Sequence, residues 1–143
     1  MGRRKTAKTA EGSLGRVLIV EDDPVQGMAI EAALRDAGAV EVVLCPSIAS
    51  TMDALELGPA DAIVLDVHLA DRDDGWALAE LVDMLGPKRP RIVFSTGAPE
   101  DIPPEIAEMG PIFEKPYDPA QLAQALVSGA KPGLFARLRN ALS

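Results

Sequence analysis

Four apolar runs punctuate the chain: Val17-Leu18-Ile19-Val20, Ala62-Ile63-Val64-Leu65, Ile92-Val93-Phe94 and the shorter Ile112-Phe113. Each is too short for a helix and lacks polar alternation, which is the pattern of a strand buried on both faces. Together with a stretch around 40–44 they predict strands at about 16–21, 40–44, 61–66, 91–96 and 111–114. Helical signals lie between them. Asp23-Pro24 and Asp118-Pro119 each place an N-capping acid before a proline at the first helical position, where a missing N–H costs nothing. Gln121, three residues after Asp118, suits a pair of capping-box type. Leu78, Leu81, Val82 and Leu85 repeat at i, i+3, i+4 and i+7, an amphipathic helix laid on the sheet. The segment 101–109 carries Pro103 and Pro104 near its start and predicts a short or mobile helix. Alternation of strand and helix repeated five times predicts an α/β fold, a doubly wound five-stranded parallel sheet with helices on both faces.

Polar residues gather where the apolar runs end. Glu21-Asp22-Asp23 follows the first run, Asp66 the next, Ser95-Thr96-Gly97 the third, and Glu114-Lys115-Pro116 the last. In open parallel sheets ligands bind beyond the carboxyl ends of the strands, at the switch point of strand order. Carboxylates gathered in a low-dielectric site repel one another and stay ionised together only beside a cation. The pattern therefore predicts a hard divalent metal next to one reactive carboxylate.

Composition narrows the picture further. A chain of 143 residues with 48% hydrophobic content has the length of one domain and enough apolar surface for a core. The net charge of -8 is uneven: residues 1–11 and residues 129–143 each carry +3, which leaves -14 on the rest. Such a body repels phosphate backbones, so nucleic-acid binding is not expected. The single cysteine, Cys45, excludes an internal disulfide and predicts a small core residue in a reducing compartment. No stretch approaches the length of a membrane span, and the basic start lacks the apolar segment of a signal peptide; a cytoplasmic location is expected. Residues 1–15 show no periodicity and predict a disordered basic leader before a domain at 16–128. Residues 129–143 form a short basic tail, with Leu134, Phe135, Leu138 and Leu142 on one face of a short amphipathic helix.

Val-Leu-Ile-Val-Glu21-Asp22-Asp-Pro, Asp-Ala-Ile-Val-Leu-Asp66, Phe-Ser-Thr96-Gly97 and Glu-Lys115-Pro116-Tyr, in this order and spacing, resemble the receiver domain of two-component response regulators over about residues 16–128. More loosely, Phe-Ser-Thr-Gly and the proline-rich stretch after it resemble single-domain receivers that serve kinases of the HWE class. The resemblance implies a flavodoxin-like strand order 2-1-3-4-5 and a stand-alone response regulator. Asp66 is then the phosphoacceptor. Glu21, Asp22, Asp66 and the backbone carbonyl of His68 hold Mg²⁺. Thr96 hydrogen-bonds a phosphoryl oxygen, and Lys115 pairs with it after a cis Lys115-Pro116 bond. The implied partners are a histidine kinase or phosphotransfer protein and a downstream protein target. The only reactions implied are the protein's own phosphorylation and dephosphorylation, so it is not expected to be an enzyme on a separate substrate.

The chain departs from the family pattern in several places. Ala70 stands where a proline is usual, and the loop from there to Gly75 is about one residue longer. Ile112 stands where many receivers have a switch aromatic, which removes the usual partner for a moving Thr96. His68 and Ala98 occupy the two positions that tune phosphoryl lifetime, and Ala98 offers nothing to orient water, so slow hydrolysis is expected. Asp23 is read as a helix cap outside the metal site, and Asp71, Asp73 and Asp74 as a solvated loop with no calcium-binding glutamate at the twelfth position. Two other classes compete: a scaffold that works without phosphorylation, and a Mg²⁺-dependent phosphatase. Against the phosphatase, Asp66 is a lone acid after the third strand.

Overall fold

The computed structural model describes residues 14–66 and 89–128, together with Ala79, Val82, Asp83 and Gly86. The strands are β1 (Gly15–Val20), β2 (Ala39–Cys45), β3 (Ala62–Leu65), β4 (Arg91–Thr96) and β5 (Ile112–Glu114). They form one parallel sheet in the order β2-β1-β3-β4-β5. The helices are α1 (Pro24–Asp36), α2 (Ile48–Leu57), α3 (Pro104–Ala107) and α4 (Pro119–Ser128), with a 3-10 turn at Pro99–Asp101.

The unbroken apolar runs are explained by two cores, one on each face of the sheet. Val17 and Ile19 of β1, with Val64 and Val93, pack against Ile30 and Leu34 of α1 and Leu122 and Leu126 of α4. Their neighbours Leu18 and Val20, with Ile63, Leu65 and Phe94, point the other way, toward Ala54 of α2 and Ile106 of α3. A strand with helices on both faces has no wet side, so period-two alternation vanishes and β-branched residues fill the run.

Local signals behave as the sequence suggests. The Asp23 side chain accepts from the Val25 N–H at 3.0 Å with Pro24 at the helix start, and the Ala120 N–H donates to Asp118 Oδ1 at 3.0 Å. The segment around 101–109 holds only the 3-10 turn and the four-residue α3. Cys45 is buried. Helix α2 starts at a capping box that lacks the usual Glu or Gln: the Ser50 N–H donates to Ser47 Oγ at 3.0 Å and the Ser47 N–H to Ser50 Oγ at 3.1 Å.

One boundary is corrected. The leader expected at 1–15 does not reach Gly15, because Leu14 is buried in the α1 and α4 core and Gly15 already belongs to β1. Gly15 has φ +69, and a Cβ there would meet Asp61 Oδ2; this carboxylate accepts the Arg16 N–H at 2.8 Å. A glycine is required for that approach, and it hid the strand's first residue from a search for apolar runs. Residues 1–13, the tail from 129, the loop with Ala70 and Asp71, Asp73 and Asp74, and Leu78, Leu81 and Leu85 lie outside the described residues. Of the predicted amphipathic helix, Ala79 and Val82 are described, and both are buried in the α2 and α3 core.

Candidate functional site

Strand order brings the polar ends together. Counting across the sheet, Glu21 and Asp22 follow β1, Asp66 follows β3, Thr96 ends β4 and Lys115 follows β5, so four neighbouring strands present their ends on one edge. Connections leave β1 toward β2 and return to β3 on its other side, which is the switch point where such sheets bind ligands. The backbone holds the acids firmly: the Glu21 N–H donates to the Cys45 carbonyl at 3.1 Å and the Asp66 N–H to the Val20 carbonyl at 3.0 Å. Each continues its strand's ladder one residue past the strand.

Glu21, Asp22 and Asp66 offer carboxylate oxygens that all lie within 4.8 Å of one another. Glu21 and Asp66 are 6% and 5% exposed, so water screens them little. The Lys115 ammonium reaches across from the far edge, donating to Glu21 Oε1 at 3.1 Å and to Asp66 Oδ2 at 3.4 Å. Among the described residues, three carboxylates thus gather beside one lysine. Burial first, and then the Asp66 charge, push the Glu21 carboxyl up to about 7, in spite of Lys115. Burial alone lowers the Lys115 pKa, but the Asp66 and Glu21 charges outweigh it and the ammonium is held above its ordinary value. An excess of buried negative charge in oxygen ligands fits a small, hard divalent cation such as Mg²⁺.

Thr96 is fully buried, and its Oγ1 accepts the Ala98 N–H at 3.0 Å, which leaves the hydroxyl hydrogen as a donor. Its carbonyl accepts the Lys115 N–H at 2.8 Å, so Thr96 and Lys115 are fastened to each other through the backbone. The Lys115-Pro116 bond is cis, as expected. Asp23 turns to its helix, and its own N–H donates to Glu21 Oε2 at 3.2 Å. Ile112 is buried beside Phe94 in the α2 and α3 core. His68 lies outside the described residues.

The sequence reading missed one contact. Tyr117, two residues after Lys115, shares a 2.6 Å hydrogen bond with Ser95, the residue before Thr96. Its ring also packs against Phe113 at a centroid distance of 5.6 Å. Only its status as the lone tyrosine singled it out, because no periodicity links residues 95 and 117.

The response regulator receiver domain family matches residues 17–127. Among solved structures, a CheY-like response regulator receiver domain from Methylobacillus flagellatus is 29% identical, with a TM-score of 0.71 over 81% of this chain and 98% of that one. The PhyR response regulator receiver domain from Erythrobacter litoralis, at 23% identity and a TM-score of 0.70, covers 81% of this chain and 89% of that one and supports the fold. A search of curated proteins finds no match. The acidic edge, its lysine and the strand order thus stand on a known frame, and the chain belongs to the response regulator receiver domain family of two-component systems.

Proposed function

We propose that this response regulator accepts a phosphoryl group on Asp66 from the phosphohistidine of a kinase or phosphotransfer protein, with Mg²⁺ held by Glu21, Asp22 and Asp66. The observation that carries the reading is the pairing of one lysine with two buried carboxylates at 3.1 and 3.4 Å, beside a third acid. An Asp66 oxygen attacks phosphorus as the phosphorus–nitrogen bond to the donor imidazole breaks. The leaving imidazole takes up a proton, and Asp66 becomes an acyl phosphate. Phosphoryl transfer needs alignment and charge neutralisation more than acid–base chemistry. Lys115 supplies a fixed positive charge, and the Thr96 hydroxyl is placed on the adjacent strand end to donate to a phosphoryl oxygen. The metal, when bound, neutralises charge on the transferring group; the His68 carbonyl is its remaining proposed ligand.

In this reading the chain catalyses only its own labelling and hydrolysis, works in the cytoplasm, and signals by binding a downstream protein or by passing the phosphoryl group onward. Wild-type and Asp66→Asn protein, mixed with phosphorylated histidine kinases with and without Mg²⁺, test it directly. Rapid labelling of wild type alone, lost without Mg²⁺, is expected. Full labelling of Asp66→Asn overturns the assignment of the acceptor. No labelling together with no beryllofluoride binding moves the protein to a scaffold, and multiple turnover of a small phosphoester makes it a phosphatase.

A further inference from the structure

We propose that Tyr117 is a positioning residue for Lys115 and Thr96, acting through its hydroxyl on Ser95; its effect on transfer rests on the functional reading above. The segment that carries the lysine has few anchors. The Lys115 N–H is bonded to the Thr96 carbonyl at 2.8 Å, and Pro116 has no N–H to offer. The next fastening is the Tyr117 hydroxyl, 2.6 Å from Ser95 Oγ. Two successive residues of β4 therefore hold two positions of the lysine segment, one through a carbonyl and one through a side chain. Ser95 is 1% exposed, so its side of this bond is shielded from water, while Tyr117 is half-buried.

The same hydroxyl adjoins Gln26 in the first turn of α1, just past Glu21 and Asp22. The half-buried phenol thus bonds to the strand that ends in Thr96 and lies beside the helix that follows the metal acids, from the loop that carries Lys115. The Phe113 ring packs against Tyr117 with the two ring planes 56° apart. Lysine has a flexible four-carbon stem and loses rotamer entropy when its ammonium is fixed. Its reach from β5 to Glu21 on β1 therefore depends on how well its own backbone is held. The usual aromatic three residues before the lysine is Ile112 here, and it packs on the opposite face of the sheet. Tyr117 supplies an aromatic clamp from the α1 and α4 side instead.

Tyr117→Phe and Ser95→Ala each delete one side of the bond and keep most of the volume, and the double variant isolates their coupling. Phosphoryl transfer from a labelled kinase is followed in all four proteins, with amide exchange read at Lys115 and at β1 as a control. Each single variant is expected to slow transfer roughly three- to tenfold, the net worth of one hydrogen bond. The double variant is expected to be no slower than the worse single one. Exchange at the Lys115 N–H should rise while β1 stays protected. Wild-type rates and unchanged Lys115 exchange in both single variants overturn the proposal. So do losses that multiply in the double variant, or exchange that rises equally across the sheet, which marks general loosening. If wild type itself takes no label, the functional reading falls, and the exchange arm alone decides whether the hydroxyl holds Lys115.

Discussion

Replacing Lys115 by Met removes its ammonium from the acidic edge and keeps most of its apolar stem, so the change is mainly electrostatic. At 3.1 and 3.4 Å, and an effective dielectric constant near 20, the attraction to Glu21 and to Asp66 is about 5 kcal/mol each before desolvation is counted. Removing one partner of a buried pair costs about 3–5 kcal/mol. The lysine side chain is 29% exposed, which favours the lower end, about 3 kcal/mol for the metal-free protein at pH 8. The cost must depend on pH. In wild type the Glu21 carboxyl sits at about 7, and loss of the lysine raises it further. At pH 5.5 Glu21 is protonated in both proteins, and only Asp66 loses its counter-charge. Between pH 7 and pH 8 the folded variant keeps a proton that folded wild type has released, which adds about 1.4 kcal/mol per pH unit to the deficit. Urea unfolding in EDTA at pH 5.5 and pH 8 reads both values, about 1.5 and about 3 kcal/mol. Magnesium at about a hundred times its Kd should restore roughly 2.7 kcal/mol to either protein. An equal cost at both pH values refutes the view that Lys115 offsets the Glu21 charge.

Metal-free wild type should itself lose stability as pH rises from about 4.5 to about 7, because folded Glu21 keeps its proton over that window while the unfolded chain has released it. The loss, up to about 3 kcal/mol, should level off above pH 7 and be smaller with Mg²⁺; denaturant midpoints across pH check it. Asp66→Asn should stabilise the metal-free protein at pH 8 by about 1–2 kcal/mol, since repulsion from Glu21 and Asp22 outweighs attraction to Lys115 at these distances; a lower midpoint than wild type contradicts this. Asp23→Ala should cost about 1 kcal/mol by uncapping α1 and leave Mg²⁺ affinity within about twofold in a metal titration, whereas a tenfold loss makes Asp23 a ligand. Gly110→Ala drives a Cβ into the Ile92 carbonyl oxygen, a backbone atom that cannot yield, and should destabilise by about 3 kcal/mol in thermal melts; a wild-type melting temperature refutes the contact.

Short-range physics is what the sequence wrote plainly. Apolar runs such as 17–20 and 62–65 fit burial on both faces of a parallel sheet, and the proline after Asp23 and Asp118 marked where α1 and α4 begin. Polar residues at the ends of those runs named Glu21, Asp22, Asp66, Thr96 and Lys115, because a parallel sheet sends every strand's carboxyl end to one edge. Departures from those rules were less legible: the strand start at Gly15 hides in a positive φ, and the cap of α2 uses a serine where the usual pattern has Glu or Gln.

Only the tertiary structure decided which groups touch. The Lys115 ammonium could have met any acid at the edge; its bond to Glu21 joins residues 94 apart through the ordering of four strands. The raised Glu21 pKa follows from burial and from Asp66, and neither is written near residue 21. The bond between Ser95 and Tyr117 depends on the turn after β5 folding back over β4. Periodicity is a property of neighbours along the chain, whereas charge coupling and buried hydrogen bonds depend on distance in space, and that distance exists only once the sheet has closed around its switch point.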